Sequence, residues 1–126
     1  MRTLSQNPAA VYRKVDLDAR IEASQSADLT QICLEEAIAT LGQALFAIER
    51  SPQRAPRESL ARAHAIALWL TQSVDPENPM RDNLLQFYGG QAALIRRNLV
   101  SPQQVDITRA RDDFADILAA ARAAGP

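Results

Sequence analysis

The sequence predicts an all-α protein, an antiparallel up-down four-helix bundle preceded by a short N-terminal arm or helix. Three observations predict this fold. Alanine, leucine and isoleucine dominate the apolar residues, aromatic residues make up only 5% of the chain and only 4 residues are glycine, a composition that favours helix over sheet. Apolar residues recur at intervals of three and four along four segments of roughly 20 residues each. Proline-containing breaks separate these segments.

The N-terminal residues 1–27 are polar and mixed, and we expect them to form a flexible arm. Asn7-Pro8 disfavours an early helix, and the apolar residues that follow are scattered. A short helix over about residues 8–20 is the alternative. The bundle itself is predicted over residues 28–123.

The first helix is predicted to begin after Ser26, which can act as an N-cap, with Asp28 in its first turn. Ser51-Pro52 is expected to end it. Its apolar stripe steps by four and three residues, as expected for one buried helix face. The stripe consists of Leu34, Ile38, Leu41, Leu45 and Ile48.

Three further helices are predicted over about residues 57–74, 80–99 and 104–123. The two prolines within residues 75–79 separate the second helix from the third, and Ser101-Pro102 separates the third from the fourth. These connections are short, so consecutive helices should be antiparallel neighbours.

The second and third helices carry more apolar residues than one buried stripe requires. Ile66 and Trp69 lie about 60–100° from the stripe of the second helix. The third helix has two apolar rows, one through Leu84 and one through Leu85 and Tyr88. The extra rows could bind a partner, or each helix could bury both rows against two neighbours. The pattern leaves both interpretations open.

Gly89-Gly90 lies in the middle of the third predicted helix. We expect the pair to allow close approach of a neighbouring helix or to mark a kink. The functional alternative is a hinge that opens the bundle for a ligand helix.

Charge, cysteine content and hydropathy narrow the functional classes. The formal net charge of −1 argues against a basic surface for nucleic acid. The lone Cys33 cannot form an internal disulfide bond, which fits a reducing cytoplasm. The chain has neither the apolar core of a secretory signal nor the roughly 18 consecutive apolar residues of a membrane span. We therefore expect a cytoplasmic protein.

Residues for catalysis or for a cofactor are poorly represented. Cys33 lies in an apolar stripe, where it most simply acts as a small core residue. His64 has no second histidine or cysteine at metal-ligand spacing. Asp112 and Asp116 share a helix face, but the Glu-x-x-His pattern of di-metal bundles is absent, and so are the glycine-rich phosphate-binding motifs. The sequence predicts neither an enzyme nor a cofactor or metal site.

Several short patterns, in this order and spacing, resemble the FliS-type flagellar secretion chaperones. The segment 29–49, LTQICLEEAIATLGQALFAIE, is similar to the first long helix of that family. The segment 62–75, RAHAIALWLTQSVD, matches its Ala-x-x-Ile-x-x-x-Leu-x-x-x-Leu-Asp pattern apart from Val74. Asn83-Leu84 followed by Phe87-Tyr88 is similar to Asn-Leu-x-x-Leu-Tyr, and Tyr12 stands in the place of an N-terminal tyrosine.

The resemblance has departures. The Tyr-Asp-Gly of the family's first helix is Leu34-Glu35-Glu36 here, and its later Tyr-Asp-Tyr is Tyr88-Gly89-Gly90. The second change removes an aromatic residue that could shape a binding surface. These departures leave the helical fold intact and fit a divergent member that serves a different flagellin or a different protein.

The resemblance implies a cytosolic export chaperone that binds the C-terminal segment of flagellin and prevents premature polymerisation. The client's helical pieces would enter apolar grooves on the bundle, and the arm could cover part of that surface through Tyr12. Other flagellar export components are further candidate partners; neither nucleic acid nor a membrane span is expected. The expected partner-binding residues are Tyr12, Leu34, Ile38, Leu45, Ile66, Trp69, Leu85 and Tyr88.

Each of these residues could also belong to the core, and for Leu34, Ile38 and Leu45 the core is the stronger interpretation. Trp69 and Leu85 lie off the main stripes, so we expect Trp69→Ala or Leu85→Asp to weaken client binding without loss of helicity. Two other functions predict the same fold. One is a helical adaptor or regulatory protein with a different helical client, and the other is a structural component that self-associates.

Overall fold

The computed structural model describes residues 26–124, which form four α-helices and contain no strand within this range. The predicted all-α four-helix bundle is confirmed. The predicted helix boundaries agree with the observed ones to within two residues. Residues 26 and 27, predicted as the end of the arm, belong to the first helix, and the rest of the arm, with Tyr12, lies outside the described residues. The helices are α1 (Ser26–Arg50), α2 (Arg57–Gln72), α3 (Arg81–Val100) and α4 (Gln104–Ala124).

The helix ends follow local chemistry. α1 is described from Ser26 onward, so the N-cap role of this residue stays a prediction. Asp28 lies in the first turn of α1 and Arg50 in the last, where each charge complements the helix dipole. Before α3, the Asn78 side-chain oxygen accepts a hydrogen bond from the Met80 backbone N–H at 2.8 Å, a turn that starts the new direction of the chain.

The four helices pack in cyclic order. α1 contacts α2 and α4, α3 contacts α2 and α4, and neither diagonal pair is in close backbone contact. α1 packs most closely along α4 and α2 along α3, whereas the α3–α4 seam is the sparsest. Each helix therefore has two neighbours, which explains why most of the extra apolar rows are buried.

The core fills the space between the four helices. Phe114 of α4 is fully buried, and its ring packs edge-on against Phe87 of α3 with ring centroids 5.7 Å apart. Alanines at four fully buried positions of α1 and α2 provide little side-chain volume, which suits close packing of these helices. These alanines are Ala37, Ala44, Ala63 and Ala67.

α1 is the most apolar helix. By length and composition alone, residues Asp28–Arg50 would be sufficient to cross a membrane. Leu34 and Leu41 of this helix are fully buried in the bundle, and a core helix of this kind satisfies the same length and composition test. Contacts with the other helices thus account for most of its apolar residues, and Phe46, which is 59% exposed, is the clearest exception.

Candidate partner-binding surface

Four of the expected partner-binding residues lie in the core. Leu34 has no exposed surface, Leu45 and Ile66 are 7% exposed, and Tyr88 is 3% exposed. Contacts with the other helices account for all four side chains. In this conformation they offer almost no surface to a partner.

Ile38 and Trp69 are half-buried and pack against the core. Trp69 lies two turns after Arg62 on the same side of α2. The Arg62 Nε atom donates a hydrogen bond to Glu36 Oε2 of α1 at 3.1 Å, so this side of α2 borders α1. Trp69 is therefore placed along the α1–α2 seam.

Leu85 is half-buried and does not belong to the core cluster. Gln91 and Asn98 donate hydrogen bonds to Asp113 and Asp106 of α4, which identifies the side of α3 that borders α4. Leu85 lies about 120° away from Gln91 around the helix axis, on the side that borders α2. Leu85 and Trp69 therefore face different seams and do not form a single patch.

Long stretches of α2 and α3 contain no formally charged residue. Residues 63–74 and 83–95 include neither Asp, Glu, Lys nor Arg, whereas α4 carries seven such residues. A helix face that meets only water is normally rich in charge. The outer sides of α2 and α3 thus differ from the ordinary solvated surface that α4 presents.

The outward residues of these two stretches form the candidate surface. Leu68 is 43% exposed and lies one turn before the end of α2. Leu85 lies one turn after the start of α3. The two leucines are therefore at the same level beside the connection. We call this region the α2–α3 surface; it comprises Ala65, Leu68, Leu85, Gly89 and Ala93. From Leu85 to Ala93, at 1.5 Å per residue, it is about 12 Å long.

The glycine pair of α3 opens onto free space. A Cβ atom added to Gly89 or Gly90 would meet no neighbouring atom within 4 Å, and α3 continues unbroken through both residues. The predicted close approach of a neighbouring helix is therefore wrong. Gly89 follows Leu85 by one turn, so the backbone of α3 is unusually accessible beside the leucine.

A cleft of about 470 Å³ lies at the end of the bundle that includes the α2–α3 connection. Leu70, Val74, Leu84 and Tyr88 give it an apolar lining, and the carboxylates of Asp75 and Glu77 contribute to its polar part. Leu84 is adjacent in sequence to Leu85, so the cleft lies near one end of the α2–α3 surface. Tyr88, which is otherwise a core residue, also lines the cleft.

The titratable residues near this cleft do not suggest catalysis. Burial, followed by the nearby Glu36 carboxylate, raises the pKa of Cys33 to about 11. Burial, with a smaller effect from Cys33, also raises the pKa of Tyr88. Both groups are thus neutral near pH 7, and a neutral thiol is a poor nucleophile. Within residues 26–124, the structure contains no cluster of three or more potential metal-ligating side chains.

Sequence patterns missed Leu68 and the exposed side of Gly89. The apolar stripe of α2 drew attention to residues that face the core, and Leu68 lies outside that stripe. The absence of charge over residues 63–74 and 83–95 could have located both. A charge-free stretch that covers every face of a helix must expose some uncharged surface, whichever face is buried.

Comparisons with known proteins give no match: neither protein-family models, nor curated proteins, nor solved structures are detectably similar to this chain.

Proposed function

We propose that this protein is an export chaperone that binds an amphipathic helical segment, the C-terminal segment of flagellin, on the α2–α3 surface. The observation that supports the proposal is the absence of formal charge over residues 63–74 and 83–95 of two adjacent helices, around the accessible Leu68 and Leu85. Exposed apolar surface of this kind is typical of protein interaction sites.

The binding mode follows from the shape and chemistry of the surface. An amphipathic helix would place its apolar residues over Leu68 and Leu85, in the helix-in-groove mode. Because Gly89 has no side chain and open space around it, the client backbone could approach α3 closely there. No ion on the protein would have to lose its hydration in the centre of the interface.

Binding of this kind would suit a chaperone. A client segment that polymerises through its apolar face would be protected while that face lies on the α2–α3 surface. The charged α4 helix, on another side of the bundle, would keep the complex soluble. This role rests on the resemblance to the FliS-type family together with the surface chemistry.

Isothermal titration calorimetry with the C-terminal segment of a flagellin from the same genome tests the proposal. We expect one-to-one binding that Leu85→Asp weakens by tenfold or more, at least about 1.4 kcal/mol. Val105→Asp is the matched control, since it also replaces an exposed apolar residue, on α4. Equal loss in both variants, or no binding by the folded wild-type protein, would contradict the proposal.

A second candidate function is a helical adaptor or regulator with another helical client. The open space at Gly89 and Gly90 favours it, because the FliS-type pattern has Asp-Tyr at these positions and a binding site without those side chains differs in shape. Binding of an unrelated amphipathic helix, with Leu85→Asp as the sensitive variant and no affinity for flagellin, would identify this function.

A further inference from the structure

The end of the bundle opposite the α2–α3 connection is basic. Two connections meet there, because one cleft of about 160 Å³ is lined by Ile48, residues 52–55 and Pro102. Residues 46–58 and 96–109, which flank these connections, contain six arginines and three carboxylates, a net charge of +3. The six arginines are Arg50, Arg54, Arg57, Arg96, Arg97 and Arg109, and all are exposed.

The arginines around the first connection are available for a partner. Within residues 26–124, none of the ion pairs joins Arg50, Arg54 or Arg57 to a carboxylate. By contrast, Arg62 is held by Glu36 and Arg122 by Glu35. The guanidinium groups at this end can therefore donate paired hydrogen bonds to the carboxylates of another molecule, in the geometry that arginine favours.

An exposed aromatic side chain lies among these arginines. Phe46 of α1 is 59% exposed, and the Arg50 guanidinium lies over its ring, 5.5 Å from the ring centroid. Phe46, Arg50, Arg54 and Pro56 contribute to a cleft of about 310 Å³. Arg54 also lines the neighbouring cleft that reaches Pro102. We call Phe46, Arg50, Arg54 and Arg57 the basic aromatic patch.

We infer that the basic aromatic patch docks an acidic protein segment that carries an apolar anchor residue, a partner distinct from the client of the α2–α3 surface. The anchor would enter the cleft beside Phe46 and Pro56, and carboxylates on either side would pair with Arg50, Arg54 and Arg57. Charge complementarity specifies this occupant, because the patch combines unpaired arginines with an exposed ring. The opposite end, where residues 73–82 contain three carboxylates and one arginine, would repel the same segment.

The composition of the basic aromatic patch suits a protein segment better than nucleic acid or a membrane. Carboxylates interrupt the arginines at Glu49, Glu58 and Asp106, which is unfavourable for a continuous phosphate backbone. A single exposed phenylalanine provides little apolar area to insert into a lipid surface. Both alternatives are included in the test as outcomes that overturn the proposal.

The test measures fluorescence anisotropy of a labelled amphipathic peptide of about four helical turns, with leucine anchors flanked by glutamates. The matched peptide has lysines in place of the glutamates. We expect the full-length protein to bind the acidic peptide, with affinity that falls as salt is added, and to bind the lysine peptide at least about tenfold more weakly. Equal affinity for the two peptides, or binding of neither, would overturn the inference.

Variants of the protein test whether the acidic peptide binds at the basic aromatic patch. Arg54→Glu should lower the affinity for the acidic peptide by about fivefold or more. Arg81→Glu changes the net charge by the same amount at the opposite end of the bundle, and it should leave this affinity unchanged. Phe46→Ala should also weaken binding without altering its salt dependence, and thermal melts by circular dichroism should confirm that all three variants fold. Equal losses for Arg54→Glu and Arg81→Glu would indicate a general charge effect and would contradict the inference.

Tighter binding to vesicles rich in phosphatidylserine, or to a DNA duplex, than to the acidic peptide would also contradict the inference.

Discussion

Asn98 of α3 fixes the start of α4 through its interaction with Gln103: its side-chain oxygen accepts the Gln103 backbone N–H at 2.6 Å. The amide nitrogen of Asn98 donates to the Leu94 carbonyl at 2.9 Å and to Asp106 Oδ2 at 3.3 Å. Asn98 is only 1% exposed, so its hydrogen bonds are made inside the protein. They join α3 to α4 where the contact between helices is sparsest.

Asn98→Ala should therefore destabilise the bundle. The substitution leaves the Gln103 N–H and the Asp106 carboxylate without this partner, and we expect a loss of about 1–3 kcal/mol in the free energy of unfolding. Urea denaturation checks this value. Asn83→Ala is the control, since Asn83 is an exposed asparagine of the same helix, and its effect should remain within about 0.5 kcal/mol. Equal effects at the two positions would contradict the capping role of Asn98.

Gly89→Ala separates stability from binding. Because a Cβ at Gly89 meets no atom within 4 Å and no glycine within residues 26–124 has a positive φ, alanine should stabilise α3 by about 0.5–1 kcal/mol. The same methyl group should weaken client binding if the client backbone lies over α3. Gly42→Ala of α1 has equally open surroundings and should stabilise the protein without affecting the client. Unchanged affinity in Gly89→Ala would place the client elsewhere.

Trp69→Ala should affect folding, contrary to the expectation from sequence alone. The indole packs against the core along the α1–α2 seam, so its removal should lower the free energy of unfolding by about 2 kcal/mol. Leu68→Ala, at an exposed position of the same helix, should lower it by less than about 1 kcal/mol. Chemical denaturation compares the two variants. A stable Trp69→Ala protein with reduced client affinity would instead support the original assignment of Trp69 to the interface.

Cys33 should make the free energy of unfolding depend on pH in the alkaline range. Burial raises the pKa of the Cys33 thiol in the folded protein to about 11, from an ordinary value of 9.0, so the group's contribution to stability is full below pH 9 and is lost as pH rises toward 11. The loss should be roughly 2–3 kcal/mol. Cys33→Ala, which retains Tyr88, should lose correspondingly less stability over this range. Equal pH dependence of wild type and variant would contradict this account, as would rapid reaction of native Cys33 with a thiol reagent at pH 8.

Sequence reasoning predicted the helices because each has a strong local signal. The prolines at positions 52, 76, 79 and 102 lie between the apolar segments, and a stripe with a period of three to four residues appears wherever one helix face is buried. Leu34 and Leu45 belong to such a stripe and are core residues in the structure. For these elements, local chemistry and tertiary packing require the same pattern.

The candidate surface was harder to predict, because core and interface residues have the same apolar character in a single sequence. Tyr88 and Ile66 lie off a simple stripe, but each helix has two neighbours and buries a wider face, which includes both residues. Leu85 lies beyond this wider face. Which off-stripe residue remains accessible depends on the angular position of each neighbour, and that information is only in the packed structure.

The most direct test of the α2–α3 surface is an NMR titration of the isotope-labelled protein with the flagellin C-terminal segment. We predict that amide shifts concentrate in residues 63–74 and 83–95, around Leu68, Leu85 and Gly89, and leave the outward side of α4 unaffected. Saturable binding with its largest shifts on α4, or no shifts at concentrations well above those of the calorimetry, would contradict the central claim.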